Sequence, residues 1–254
     1  MHSYFKYDGR KSTEFGIRIL NDLSLTPAER DVTTVEILGR HGDLTVDNKR
    51  YKSLVKEIKF DVLVDKVRVN HGADGRALFN TALRISDWLN VKGYHDFEWS
   101  MYPEFLYKAT MQDTYSIHDT IRTKGRGVIT VKFYPIMFYK SFSHERRIES
   151  ETNIFNKGNV EALPLIRLVP KAGQKDFDVY NNDEVWFSVR DITTETIIDS
   201  ETMQVTNEQG SANDNLVVRR PLFPKLQTGD NLITFDENQV VGIYITPRLG
   251  RTAL

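Results

Sequence analysis

The sequence predicts a mostly β protein of two domains, and three observations carry that reading. Apolar residues recur with period two along nearly the whole chain, one segment alone keeps a helical period, and a polar stretch interrupts the pattern past the midpoint. At 254 residues, with 40% apolar and 27% charged positions, the chain is long enough for two cores and too apolar for a disordered protein.

The strand signal is clearest from Glu57 to Asp65, where Ile58, Phe60, Val62 and Val64 share one face and Lys59 and Asp61 the other. Successive side chains of a strand point to opposite faces, so this alternation marks a strand with one buried side. It returns from Phe105 to Met111 and from Val128 to Phe133. Later, Val185, Phe187 and Val189 alternate with Trp186, Ser188 and Arg190, and Val241, Ile243 and Ile245 alternate with Gly242, Tyr244 and Thr246. Trp186 is flanked by two apolar residues, which predicts a strand buried on both faces and a core position for the indole.

The helical segment runs from Arg76 to Leu89, where Leu78, Ala82, Ile85 and Leu89 form one stripe. Asp74 is placed to cap it, since its carboxylate can accept a bond from an unpaired amide of the first turn. The helix is expected to stop between Asn90 and Gly93. The interruption falls between Pro135 and Lys157, where an aromatic stretch ending at Phe142 gives way to the polar run Ser143 to Thr152. This divides the chain into an N-terminal domain, 1–135, a junction, 136–157, and a C-terminal domain, 158–254.

Charge and composition exclude several classes. The net charge is −1, with 21 basic against 18 acidic residues up to Pro135 and 13 against 17 after it, so neither half is a nucleic-acid-binding patch. No cysteine is present, which removes disulfides and thiolate chemistry. The N-terminus lacks the apolar core of a signal peptide and no run is long enough to span a bilayer, so synthesis in the cytoplasm as a soluble protein is expected.

Catalytic motifs fail on spacing. His144 and Glu145 begin a zinc-protease pattern whose second histidine position holds Ile148. His41 and Asp43 lie on a glycine-rich turn and make no ligand set by themselves. His118 and Asp119 are consecutive on a strand-like segment, so their side chains diverge. Gly125 and Gly127 read as a hairpin turn before the strand at Val128, the alternative being a small anion-binding nest. No catalytic residue, cofactor or metal site is assigned. The 14 Phe and 11 Tyr are read as core and interface packing.

Two stretches, Leu38 to Leu44 and Leu222 to Arg251, carry patterns that resemble those of the distal tail proteins of siphophages that infect Gram-positive bacteria. Leu38-Gly39-Arg40-His41-Gly42-Asp43-Leu44, between two strands, is similar to the Gly-Arg-X-Gly-Asp-Leu turn of that family's N-terminal domain. Gly39 and Gly42 permit positive φ there, and Arg40 and Asp43 flank the turn, where they can pair or contact a neighbour. The second stretch is Leu222 to Arg251, where Phe223-Pro224, Leu226, Gly229, Asn231, Ile233 and Ile243 to Arg248 resemble the family's closing pattern. It reads as a turn at Thr228 to Asp230, a strand, a hairpin through Glu237 and Asn238, and a last strand ending at Pro247. Between the two stretches, Asn159 to Pro170 resembles the strand that opens the family's C-terminal sandwich.

The resemblance implies an N-terminal β-rich ring-forming domain with one α-helix, followed by a galectin-like β-sandwich in compact form without an insertion. It implies a non-enzymatic virion subunit at the tail tip, a hexameric ring between the tail tube protein and the tail-tip hub, with receptor-binding or baseplate proteins as further partners and with neither membrane nor specific nucleic acid. Gly39, Arg40, Gly42 and Asp43 become its structural turn and candidate interface. The sandwich and Trp186 keep a second reading open, a lectin-like carbohydrate-binding module. A cell-wall hydrolase, the third, finds no motif to support it.

Overall fold

The computed structural model describes residues 3–20, 25–63, 76–111, 116–121, 124–217 and 223–254. The chain is mostly β and divides into two compact units, one of residues 1–137 with 252–254 and one of residues 138–251.

The first unit contains β1 (Phe5–Tyr7), β2 (Arg10–Lys11), β3 (Ile17–Ile19), β4 (Arg30–Val35), β5 (Leu44–Tyr51), β6 (Leu54–Leu63), helix α1 (Arg76–Leu89), β7 (His95–Trp99), β8 (Phe105–Met111), β9 (Ser116–Ile121), β10 (Lys124–Phe133) and the start of β11 (Ile136–Tyr139). Its main sheet runs in the order β2-β1-β7-β8-β10-β6-β3. Strand β10 pairs with β6 along its full length on one edge, and on the other with β9 first and β8 afterwards. The period-two residues Ile58, Phe60 and Val62 are all buried, as are Ile129, Val131 and Phe133 across the ladder. Val64 and the expected cap Asp74 lie outside the described residues.

Helix α1 closes this core. Leu78, Ile85 and Leu89 of the predicted stripe are buried and Ala82 is half-buried. Trp88, off that stripe, is the main anchor: its ring stacks on Phe15 at 4.3 Å and on Phe5 at 5.5 Å, and its indole N–H donates to the Tyr7 carbonyl at 3.0 Å. Offset stacking adds to area burial, and the indole nitrogen is satisfied, so a large polar-tipped ring sits in an aromatic core without penalty. Gly125 and Gly127 are not in a turn. Both lie inside β10, and a Cβ at Gly125 would stand 2.7 Å from Ile117 Cγ2 and 3.1 Å from Leu78 Cδ1, so the missing side chain lets helix and strand approach.

The second unit is a sandwich of two antiparallel sheets. One has β12 (Arg146–Ile148), β22 (Val240–Thr246), β14 (Leu165–Pro170), β17 (Thr196–Asp199), β18 (Gln204–Asn207) and β19 (Gly210–Ser211), in that order. The other has β13 (Thr152–Asn153), β21 (Leu232–Phe235), β15 (Phe177–Asn181), β16 (Glu184–Val189) and β20 (Leu216–Val217). Ile166, Leu168, Ile198, Ile243 and Ile245 of the first sheet and Val179, Phe187, Val189 and Ile233 of the second are buried.

Three expectations are corrected here. Residues 136–157 are no linker, because β12 and β13 within them pair with β22 and β21, one in each sheet. The turn at Glu237 and Asn238 is not a hairpin: it carries the chain from β21 in one sheet to β22 in the other, and a further strand, β23 (Gly250–Thr252), follows Pro247. Trp186 is half-buried and outside the core. The β15–β16 register shifts between Val179 and Tyr180, so Trp186 is the extra residue of a bulge. Its indole N–H donates to the Lys225 carbonyl at 2.9 Å.

Candidate functional site

Strands β4 and β5 stand apart from the main sheet as a two-stranded ribbon, and the turn singled out in the sequence lies at its tip. Polar cross-strand pairs brace its base. Arg50 donates to Asp31, Arg30 pairs with Asp47 at 3.3 Å, Lys52 with Glu29 at 3.0 Å, and Asn48 donates to the Thr33 hydroxyl at 3.0 Å. The bond from Arg50 holds the Asp31 carboxyl below its ordinary range, and the bond to Glu29 holds the Lys52 ammonium above its own.

At the tip Gly39 and Gly42 have φ of 81° and 79°, in the left-handed region where a Cβ is strained. No atom lies within 4 Å of a Cβ built at either, so backbone conformation and not space calls for glycine. The Arg40 amide donates to the Ile37 carbonyl at 3.1 Å. Among the described residues the side chains of Arg40 and Asp43 form no ion pair, with each other or with any other residue. The structure therefore sets the four predicted residues side by side on an exposed tip.

The ribbon has two unlike faces. Val35 pairs with Leu44 and Thr33 with Val46, which puts Val35, Leu44 and Val46 on one side, while Val32, Thr34, Thr45 and Asp47 fill the other. The apolar side is open to solvent, with Val35, Leu44 and Val46 each more than two-fifths exposed, and Leu38 beyond them is fully exposed. Antiparallel sheets ordinarily pack their apolar face, and an isolated two-stranded hairpin is at best marginally stable in water. Spacing alone did not single out these apolar residues. Their signal was the β-prone run Val32 to Leu38 mirrored by Leu44 to Val46 about a two-glycine turn.

Elsewhere, polar groups are tied to one another. Glu145 receives two bonds from Arg167, at 2.8 and 2.7 Å, and leads into strand β12, not a helix. Arg167 also pairs with Glu195 at 3.0 Å and lies over the Tyr244 ring at 3.9 Å. A polar cleft of about 390 Å³ in the second unit is lined by Asp176, Asp178, Tyr180, Arg190 and Asp236, but Arg190 is held by Asp178 at 2.7 Å and the Phe177 carbonyl. His118 and Asp119 are consecutive on β9. Among the described residues no group of three His, Asp or Glu is placed to hold a metal ion.

A solved structure has the same architecture from end to end. The crystal structure of the SPP1 Dit protein (gp 19.1), described as a paradigm of the hub adsorption apparatus in phages that infect Gram-positive bacteria, superimposes with a TM-score of 0.73 over 96% of this chain and 97% of that one. This chain has the Dit fold. The match is of shape, since only 13% of residues are identical, and no protein-family model or curated protein matches the sequence. Both units of this chain, and not just a common sandwich, are therefore shared with the Dit fold.

Proposed function

We propose that this protein is a structural subunit of a phage tail tip, a ring-forming distal tail protein that joins the tail tube protein to the tail-tip hub. The observation that carries the reading is the match to the Dit fold over both units at once, where a lone β-sandwich would have served many unrelated functions. The exposed apolar face of the β4–β5 ribbon supports assembly, because a closed ring covers in the neighbouring subunit what each chain leaves open. In this reading Gly39, Arg40, Gly42 and Asp43 shape an interface, the first unit forms a hexameric ring, and receptor-binding or baseplate proteins attach at the tail tip of the virion. The mechanism is rigid coupling, with no reaction catalysed and no cofactor required. Membrane and specific nucleic acid have no part in it.

The test is native mass spectrometry with negative-stain microscopy of the purified full chain. A discrete hexamer seen as a ring is expected, and a monomer at tens of micromolar overturns the ring.

A further inference from the structure

The first unit is not made from one continuous stretch. Residues 252–254 belong to it, so the whole of the second unit is an insertion between residues 137 and 252. Ala253 is 1% exposed and sits in the core of the first unit, and Leu254 lies with Leu54, Trp99, Tyr107 and Phe133 around one gap. The backbone of Ala253 is used on both sides. Its N–H donates to the Pro135 carbonyl at 2.8 Å, and its carbonyl accepts from the Ala28 amide at 3.0 Å. Ala28 is itself buried and stands two residues before β4, while the next residue, Glu29, accepts from the Lys52 amide at 2.8 Å just beyond β5. The root of the ribbon is thus tied across to its own second strand and down to residue 253.

Chain order makes this joint slow to close. Ala28 and Ala253 are separated by most of the chain, and a contact between distant positions must overcome the entropy of closing the loop between them. The second unit lowers that barrier within its own fold. There the Tyr139 amide donates to the Leu249 carbonyl at 2.9 Å, which brings together two residues near the ends of the insertion. Once that bond is made, the loop between Pro135 and Ala253 shrinks from about 118 residues to about 8, and its closing constant rises about fiftyfold. Gly158 keeps the path open: a Cβ there would overlap the Gly250 carbonyl oxygen, so the missing side chain lets β23 pass. The β6–β10 ladder needs no residue beyond Phe133 and is free to form earlier.

We infer that residues 252–254 are a strap that closes late: they seal the core of the first unit and fasten the root of the β4–β5 ribbon only after the second unit has folded. The first unit therefore takes its final form only in a chain whose second unit is complete. A chain that misfolds between residues 138 and 251 leaves Ala28 unfastened. This order of folding does not depend on the ring.

Pulsed hydrogen exchange during refolding of the full chain reads that order. The Ala28 and Ala253 amides should gain protection no earlier than those of the β14–β17 ladder in the second unit, and protection of Ala28 before that ladder forms overturns the strap. Two full-length variants test the fastening at equilibrium. Ala253→Gly removes one buried methyl group and should speed exchange at Ala28 and Lys52 about threefold or more. Ala253→Asp sets a carboxylate in the core and should speed it at least about tenfold. The β14–β17 ladder should keep its rates in both. If Ala253→Asp does not fold, Ala253→Gly decides: exchange at Ala28 unchanged in that variant, or raised equally in both units, means that residue 253 fastens nothing.

Discussion

The two units bury their interiors by different means and leave different surfaces. The first is held by stacked aromatic rings, with Phe5, Phe15, Trp88, Phe97, Trp99 and Phe133 in contact, and it exposes apolar side chains on a ribbon and a helix. The second has a largely aliphatic interior between two sheets, and ion pairs on its surface join Arg167 with Glu145 and Glu195, Arg190 with Asp178, and Arg248 with Asp199. One end of its sandwich is held by Asn231, fully buried. The Asn231 side-chain oxygen accepts from the Gln227 amide and Asn181 Nδ2, and its nitrogen donates to the carbonyls of Gln227, Gly229 and Ile154. Ion pairs line both units, so charge does not separate them; the difference lies in the interiors and in the open apolar face of the ribbon in the first.

The comparison can be broken at several points. The largest effect is expected for Trp88→Ala, which removes the ring that joins α1 to the sheet and should cost about 3–5 kcal/mol. Chemical denaturation gives the size, and hydrogen exchange should show the first unit loosening while the second keeps its protection. Equal loss in both units would mean that they share one cooperative core. Asn231→Ala comes next, at about 2–3 kcal/mol, because it strands buried amide and carbonyl groups of the 227–231 loop. Its exchange signature should be confined to the second unit.

Trp186→Ala should cost less, about 1–2 kcal/mol, since the ring is half-buried on a bulge. A loss near that of Trp88→Ala would restore the core role expected from the sequence. Calorimetric titration of the wild type with cell-wall saccharides should show no saturable binding. Binding that a folded Trp186→Ala variant loses would return the lectin reading. Gly42→Val should cost about 1–2 kcal/mol locally, for a β-branched residue at φ of 79°. Because the turn is an exposed tip, the melting temperature should barely move while ring formation falls, and a variant that assembles normally would remove the turn from the interface.

The smallest effect is on acid stability. Arg167 holds the Glu145 carboxyl below its usual range by hydrogen bonding; for Asp199 burial, the largest single effect, pushes the carboxyl up, but the bond and charge of Arg248 and the backbone amides of Glu201 and Thr202 together bring it below its usual range. A carboxylate with a depressed folded pKa stabilises the fold fully above its unfolded value, roughly pH 4, and loses that contribution as pH falls through the folded value. Stability of the second unit should therefore decline below about pH 4, and Arg248→Met should flatten that decline. A slope unchanged in this variant would show that the pair is solvated too well to matter.

What the sequence determined by itself is the local part: the mostly β class, the extent of α1, the strands around Ile58 and Ile129, and the positive-φ turn at Gly39 and Gly42. Each of these follows from side-chain period or from the conformational freedom of one residue, both of which act over a few positions. What only the tertiary structure decided is where those pieces go. Trp186 is only half-buried on the face opposite Phe187 and Val189, and a bulge in β22 shifts the alternation there, so Val241 turns outward while Val240 is buried in its place. A bulge changes which residue faces in without changing the pattern that precedes it. The turn at Glu237 looks like a hairpin because adjacent strands usually pair, yet here it changes sheets, and the partners on either side, β14 and β12 for β22 and β15 and β13 for β21, fix that choice. The apolar ribbon face reads in the sequence as any strand reads. That it stays open to solvent is a matter of what packs against it, which alternation along one strand does not encode.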